Sequence, residues 1–367
     1  MRPLSTLLAA VQRRLLWIML LAYVLAAVWP GPGIALRGVG LAHVGGADFP
    51  LQAGLLALMV FNAGLTARAE TLPSLLRRPR ALLVGIASNA LLPTLLLGVG
   101  ALAADGWHNP REAQSLLVGL ALVGAMPVAA GATVFAQGSE GNATLTLGLV
   151  VGSTMLSPLT IPLGLHLGGF LASGPYAADL HRVAEHACSA FAVLAVVLPC
   201  AAGLLTGRLL PSGAARERWL PAVKAVNLLV VVTLSYTNAC GALRQVIERP
   251  DPDFLVLVVV AAAAMCAGSF LIGWVLAVRL GVPRADAIAL TYASGMNNSS
   301  ASAVVAATRM PGNPAVLLPI LAYSLLQKVL AGSVGALVRN DRLDDEGSAG
   351  GAAVPTAPRE VLGFRRL

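Results

Sequence analysis

The polar side chains best suited to chemistry in this sequence lie together in one short stretch of an otherwise apolar region. Residues 295–300 are Gly-Met-Asn-Asn-Ser-Ser, which places two amides and two hydroxyls side by side. Buried amides and hydroxyls are costly unless they have hydrogen-bond partners. Hydrogen bonds between helices, worth about 0.6–2 kcal/mol each in a membrane, are one interpretation. A ligand or ion site is favoured instead, because the cluster is dense and Gly295 allows a helix to unwind.

Lys328 is the second candidate, and it lies about halfway along the apolar run 314–338. A lysine at the centre of a membrane helix costs at least about 2.5–3.5 kcal/mol. No Asp or Glu lies deep in any apolar run, so the sequence offers no evident carboxylate partner. An anionic substrate would supply the missing negative charge. An uncharged amine, or an ammonium held by backbone carbonyls and Gln327, is the alternative.

The composition of the chain excludes several classes of protein. Of its 367 residues, 57% are hydrophobic and 11% are charged, and the mean hydropathy is +0.78. Soluble domains are about 25% charged. A soluble enzyme, a disordered chain and a fibre are therefore excluded. An all-α polytopic membrane protein is predicted, because a helix satisfies its own backbone hydrogen bonds in lipid. Metalloprotease, nucleophile-elbow and P-loop motifs do not occur, and no enzymatic function is predicted.

Ten apolar runs are long enough to cross a bilayer, which takes about 20 residues. They cover residues 15–35, 50–67, 81–104, 115–137, 142–172, 187–208, 219–243, 254–279, 284–308 and 314–338. We number them spans 1 to 10. Residues 1–14 are predicted to form a cytoplasmic N-terminus. Residues 339–367 are charged and rich in Gly, Ala and Pro, which predicts a mobile cytoplasmic tail.

The basic residues predict how these spans are oriented. With ten spans, 17 of the 25 Lys and Arg residues fall on the side of the two termini and 6 on the opposite side. Cytoplasmic loops carry an excess of Lys and Arg, so both termini are predicted to be cytoplasmic, in the cell's inner membrane. Topology thus accounts for the net charge of +8, and no nucleic-acid partner is predicted.

Ten spans divide into two halves of five, and an odd number of spans gives the halves opposite orientations. Inverted repeats of this kind are typical of secondary transporters, in which discontinuous helices form the binding site near the membrane midplane. Spans 4 and 9 occupy corresponding places, and both are rich in residues unfavourable to a continuous apolar helix. We therefore expect both spans to be broken and to face a hydrated cavity.

Four segments carry a resemblance to a known family. Residues 289–307 are ALTYASGMNNSSASAVVAA, and residues 318–333 are LPILAYSLLQKVLAGS. Together with 124–163, which begins GAMPVAAGATVF, and NAGLTA at 62–67, they resemble the second, fourth, fifth, ninth and tenth helices of the bile acid:sodium symporter family. Span count and topology agree with that family over about 15–338.

The resemblance implies an architecture and an activity. A panel domain of spans 1, 2, 6 and 7 would lie beside a core domain of spans 3, 4, 5, 8, 9 and 10. Spans 4 and 9 would be discontinuous and would cross. Family members couple inward sodium flow to the uptake of bile acids or smaller organic anions, by alternating access of the core against the panel.

The resemblance also implies site residues. Candidate substrate-binding residues are Thr133, Asn297, Asn298, Ser299, Gln327 and Lys328. Candidate sodium residues are Ser88, Thr133, Thr146, Ser294, Met296 and Asn297. The glutamate that binds sodium in the family's ninth helix falls on Ala293, so the main charge compensation for sodium is missing. Sodium is the one cofactor that the resemblance implies, and its coupling stays open.

The predicted function is transport of a small organic anion across the lipid bilayer by a secondary carrier. Lys328 would take over the charge role of sodium or pair with a substrate carboxylate. The alternatives are a sodium-independent carrier, an efflux protein of a related family, and a membrane binding or sensor protein without transport. The sequence leaves the substrate, the direction of transport and the oligomeric state open.

Overall fold

A computed structural model describes residues 14–44, 47–67, 79–104, 106–186, 193–210, 214–248 and 250–349. The first seven helices are Leu15–Val28 (α1), Gly31–Arg37 (α2), Leu51–Thr66 (α3), Pro79–Ala104 (α4), Pro110–Gly124 (α5), Gly131–Gly138 (α6) and Ala143–Leu171 (α7). The next seven are Gly174–His186 (α8), Leu198–Leu209 (α9), Ala214–Glu248 (α10), Pro252–Arg279 (α11), Arg284–Gly295 (α12), Ser299–Arg309 (α13) and Leu317–Ala349 (α14).

Short segments of other types lie between these helices. A π-helical turn, Val193–Val197, leads into α9, and a 3-10 turn, Pro314–Val316, leads into α14. Strands β1 (Gly40–Val44) and β2 (Ala47–Pro50) form an antiparallel hairpin between α2 and α3. This strand pair is not predicted from the sequence, because its residues form no apolar run between spans 1 and 2.

Five helices in the described part of the chain are long and apolar enough to cross a membrane: α4, α7, α10, α11 and α14. Helices α1 and α2 make a sixth span if the pair counts as one, although the chain bends by 96° between them. The protein is therefore a multi-pass, predominantly α-helical membrane protein, as its composition predicts. The other predicted spans coincide with the short helix α3, the segment Val193–Leu209 and two interrupted pairs, α5–α6 and α12–α13.

Both interruptions occur where the sequence stops supporting a helix. Helix α5 ends at Gly124, and Pro127 follows in the gap before α6. Proline has no backbone N–H and so cannot continue the helical hydrogen bonds. Helix α12 ends at Gly295, and α13 begins after Asn298, whose side chain accepts a hydrogen bond from the Ala301 N–H. Asparagine at this position stabilises the start of a helix.

The helices pack in two groups. Helix α1 packs on α10, and α3 packs on both α9 and α10. Glycines allow α3 and α9 to approach closely, since a Cβ on Gly203 would lie 2.1 Å from the carbonyl oxygen of Phe61. The other group contains α4, α5, α7, α11, α12, α13 and α14, and α10 contacts this group through α13 and α14.

Two further differences from the predicted organisation lie near the ends of spans. Residues 174–186, expected to be a loop, form helix α8, which packs against α7. This helix contains too many polar residues to form an apolar run, so the pattern of apolar runs does not predict it. Helix α14 continues to Ala349, beyond the predicted end of span 10. Residues 1–13 and 350–367 lie outside the described residues, so the predictions for both termini stay predictions.

Candidate functional site

The two interrupted helix pairs meet at their interruptions. The Ala129 N–H donates to the carbonyl of Met296 at 2.8 Å, and the Asn298 N–H donates to the carbonyl of Pro127 at 2.9 Å. Val128 and Asn297 thereby form a short antiparallel bridge. Helix ends leave backbone N–H and C=O groups without partners. At each interruption, some of these groups form hydrogen bonds with the backbone of the other interruption. The expected breaks in spans 4 and 9 are present, and they lie against each other.

Four polar side chains lie at this bridge, and we call them the Asn297 cluster: Ser88 and Asn89 of α4, Ser294 of α12, and Asn297 in the gap itself. Asn297 is fully buried, and its Oδ1 accepts from the Nδ2 of Asn89 at 2.9 Å. The Nδ2 of Asn297 donates to the Val123 carbonyl at 3.0 Å. The hydroxyls of Ser88 and Ser294 lie 2.9 Å apart. The cluster therefore joins the middle of α4 to the break between α12 and α13.

A small polar cavity, the Ser324 cavity, lies between the two helix groups. It is lined by Tyr23 of α1, Ser235 and Asn238 of α10, Ser299, Ser300 and Ala303 of α13, and Ile320, Leu321 and Ser324 of α14. Its volume is about 10 Å³, which is room for about one water molecule. Six of these nine lining residues carry a hydroxyl or an amide, in a chain whose helices are mainly apolar.

Gln327 and Lys328 border this cavity through two of its lining residues. Gln327 donates from Nε2 to the hydroxyl of Ser299 at 2.9 Å, while its buried Oε1 has no hydrogen-bond partner among the described residues. Lys328 is half-buried and donates from Nζ to the carbonyl of Ser324 at 2.7 Å and to its hydroxyl at 3.3 Å. Among the described residues, no carboxylate oxygen lies within 4.0 Å of this ammonium.

The remaining predicted site residues lie in other surroundings. The Thr133 hydroxyl donates to the Ala130 carbonyl, and that of the buried Thr146 donates to the Asn142 carbonyl, so both bond within their own segments. Met296 is buried and contributes its carbonyl to the bridge. Asn298 caps α13. The predicted residues thus fall into the Asn297 cluster, the Ser324 cavity with its border, and four residues in neither group, which are Thr133, Thr146, Met296 and Asn298.

The chain matches the model of a known protein family. The family model described as "Sodium Bile acid symporter family" matches residues 53–249, which is more than half of the chain. The chain belongs to the sodium bile acid symporter family. The match covers the first interrupted pair, while the second interruption and Lys328 lie beyond the matched residues. Transport rather than catalysis is the class of function that this membership indicates.

Two curated proteins of Bacillus subtilis (strain 168) are similar to this sodium bile acid symporter family member. "Uncharacterized protein YbaS" is 25% identical over 294 residues, which are 79% of this chain and 89% of that protein. "Uncharacterized sodium-dependent transporter YocS" is 27% identical over 180 residues, which are 48% of this chain and 51% of that protein. The chain therefore aligns with about half of the second protein's length.

Sequence reasoning missed several polar residues of this family member's site. Asn89 and the cavity residues Tyr23, Ser235, Asn238 and Ser324 were not predicted. A signal was present for some of them, because polar residues inside apolar spans tend to face a cavity or a partner helix. Ser235 and Asn238 are three positions apart, which puts them on one face of α10. Asn89 adjoins Ser88 in the middle of span 3.

Proposed function

We propose that this protein is a secondary carrier that moves a small organic anion across the membrane by alternating access. The substrate binds at the Ser324 cavity, where the Lys328 ammonium faces its carboxylate. The observation that carries this proposal is a membrane lysine beside a polar cavity with no carboxylate within 4.0 Å among the described residues. A charged hydrogen bond to an anion compensates for burying such a group.

The position of the cavity supports movement of one helix group against the other. Tyr23, Ser235 and Asn238 belong to the group of α1, α3, α9 and α10, which we propose to be the panel. Ser299 and Ser324 belong to the other group, which we propose to be the core. A substrate held between these groups becomes accessible from one side of the membrane or the other as the groups rotate.

The size of the cavity supports the same mechanism. A volume of about 10 Å³ admits roughly one water molecule and excludes an organic anion. Binding therefore requires the panel and the core to separate. When the panel and the core separate, water can hydrate Ser235 and Asn238 on one side and Ser324 on the other, which lowers the cost of the opening.

A second feature, on the residue that donates to the cavity's Ser299, supports a particular substrate chemistry. The Oε1 of Gln327 is a buried acceptor without a partner among the described residues. A buried acceptor left unpaired costs about 1–3 kcal/mol. A substrate that carries a hydroxyl or N–H beside its carboxylate would donate to Gln327 while it accepts from Lys328. We therefore propose a small anion with both groups as the preferred substrate.

The order of helices supports an inverted repeat of ten spans. A long helix, an interrupted pair and a long helix follow each other twice, as α4, α5–α6 and α7, and again as α11, α12–α13 and α14. We propose that α1–α2, α3, the segment Val193–Leu209 and α10 complete the ten spans. We propose that both termini then lie on the cytoplasmic side of the inner membrane, because most Lys and Arg residues fall on the side of the termini.

Lys328→Met tests the proposed site, because methionine is an unbranched side chain only one atom shorter than lysine and has no charge. Uptake into proteoliposomes is measured with taurocholate, pantoate and pyruvate, and the variant is compared on the substrate that the wild type transports. We expect uptake to fall at least about tenfold, since a charged hydrogen bond contributes about 1.5–3 kcal/mol. Lys224→Met is the matched control, because Lys224 is an exposed lysine of α10.

Equal uptake by the Lys328→Met and Lys224→Met proteins would refute the site. Counterflow, in which unlabelled substrate inside the vesicles drives uptake of labelled substrate, separates a carrier from a binding or sensor protein. A protein that binds a probe and shows no counterflow would refute the carrier.

A further inference from the structure

We propose that the side-chain amide of Asn89 occupies the place of a sodium ion at the helix interruptions, so that this chain works without sodium. The inference concerns the ion coupling of the carrier and rests on the proposed function. It starts from the oxygen atoms that face the break in α12–α13. They are the Ala293 carbonyl, the Asn297 Oδ1 and the hydroxyls of Ser88 and Ser294.

Sodium ions take oxygen ligands, and carbonyl groups at broken transporter helices coordinate sodium. In this protein an N–H donor points at two of these oxygens instead. The Nδ2 of Asn89 lies 2.9 Å from the Asn297 Oδ1 and 3.5 Å from the Ala293 carbonyl oxygen. An amide N–H₂ carries two partly positive hydrogens and so satisfies two acceptors.

The orientation of both amides follows from the backbone. The Asn297 side chain contacts the Val123 carbonyl, which can only accept a hydrogen bond, so the Asn297 Nδ2 must face Val123. The Asn297 Oδ1 then faces Asn89, and Asn89 must present its Nδ2. Rotating the Asn89 amide by 180° would place its oxygen against the Asn297 oxygen. The donor arrangement is therefore the one that satisfies all three groups.

The hydroxyls of the cluster also satisfy each other. Ser88 donates to the Gly85 carbonyl at 3.0 Å, which leaves Ser294 as the donor in its 2.9 Å contact with Ser88. Ser88, Asn89, Ser294 and Asn297 are all at most 6% exposed. The cluster is thus a buried network whose donors come from the protein itself.

The charges of the cluster lead to the same conclusion. Its members and Ala293 are all neutral, so a sodium ion among them would be a buried charge without a counter-charge from these residues. Burying an unpaired ion costs several kcal/mol, whereas a neutral amide donor avoids that cost. The residues present do not fit a sodium ion at this position, and they do fit the amide of Asn89.

The unmodified protein provides the first test. Purified full-length protein is unfolded by heat in NaCl and in KCl at equal ionic strength. A cation that binds only the folded state raises the unfolding temperature by mass action. We expect the two unfolding temperatures to agree within about 1 °C at NaCl concentrations that would saturate an ordinary sodium site. A larger, saturable rise in NaCl would overturn the proposal, and this comparison requires no variant to fold.

Asn89→Asp provides the second test, because it replaces the donor with a carboxylate at the same place. Next to the Asn297 oxygen this carboxylate lacks a partner in KCl, and the variant should unfold at a lower temperature than the wild type. In NaCl the carboxylate and its neighbouring oxygens should hold the ion, and the unfolding temperature should rise by at least about 3 °C over KCl.

Asn62→Asp is the matched control for this substitution. Asn62 is also a buried asparagine of a membrane helix, and its Nδ2 donates to the Asn227 Oδ1 at 3.3 Å. We expect it to lose stability equally in NaCl and KCl. Asn89→Asp without a sodium preference would contradict the role of Asn89. Because unfolding requires no substrate, this result is independent of whether the anion uptake proposed above is observed.

Discussion

Gly295 ends α12 with its backbone directly against the ring of Phe270. A Cβ at this position would lie 2.4 Å from the ring, and Phe270 is buried on α11. The same residue presents its carbonyl to the Tyr323 hydroxyl at 3.3 Å. Both α11 and α14 therefore contact the end of α12. These contacts fix the position of the break that follows Gly295.

Gly295→Ala should accordingly destabilise the protein, because inserting a methyl into a packed site costs about 1–3 kcal/mol. Thermal unfolding of the purified protein measures this loss. Gly98→Ala is the control, since nothing lies within 4 Å of a Cβ at Gly98 in the interior of α4. That variant should be unchanged or slightly stabilised.

Adding Phe270→Leu to Gly295→Ala should restore part of the lost stability by making room for the methyl. If Gly295→Ala unfolds at the same temperature as Gly98→Ala, the contact with Phe270 does not matter for stability.

At the scale of elements, the contact between the two interrupted pairs differs from the contact between the two helix groups. The interruptions are joined by the Val128–Asn297 bridge and by the Asn297 cluster, so α5, α6, α12 and α13 are held to one another through their gaps. The contact of α10 with α13 and α14 instead includes a polar cavity. Under the proposed mechanism the first contact persists during transport, and the second one opens and closes.

A covalent link across the second contact tests this distinction. Ser235→Cys on α10 and Ala303→Cys on α13, which line the same cavity, are combined in a variant without the four native cysteines. A short bifunctional thiol reagent should join them and abolish anion uptake, because the panel and the core can no longer separate. Cleaving a disulfide-containing linker with a reductant should restore uptake.

Each single-cysteine variant treated with the same reagent is the control for modification itself. Full uptake by the cross-linked double variant would mean that α10 and α13 do not separate during transport.

For the whole molecule, the arrangement of helices and the distribution of charge lead to one topology. In the proposed ten-span arrangement, the turn after α7 and the turn after α11 lie on opposite sides of the membrane. Ser173 lies in the first turn and Leu280 in the second, and both are exposed. We expect the first turn to lie outside the cell and the second in the cytoplasm, because cytoplasmic loops carry an excess of basic residues.

Labelling of single cysteines in intact cells checks this topology. In the cysteine-free background, Ser173→Cys should react with a membrane-impermeant maleimide, and Leu280→Cys should react only after the membrane is made permeable. Labelling of both cysteines, or of Leu280→Cys alone, in intact cells would contradict the ten-span arrangement.

The sequence by itself determined the class of the protein and the places where its helices break. Runs of apolar residues, Pro127 and Gly295 act through local backbone chemistry, so their effects can be predicted without knowing the fold. The paired strands β1 and β2 and the helix α8 were not predicted, because none of them contains an apolar run.

The tertiary structure decided which polar groups meet. Asn89 and Asn297 are 208 positions apart, and Gln327 lies 28 positions beyond Ser299, so only packing brings these pairs together. The cavity likewise combines residues from four helices. The physical reason is that a membrane helix forms its backbone hydrogen bonds within itself, whereas a buried amide or ammonium depends on partners that other helices supply.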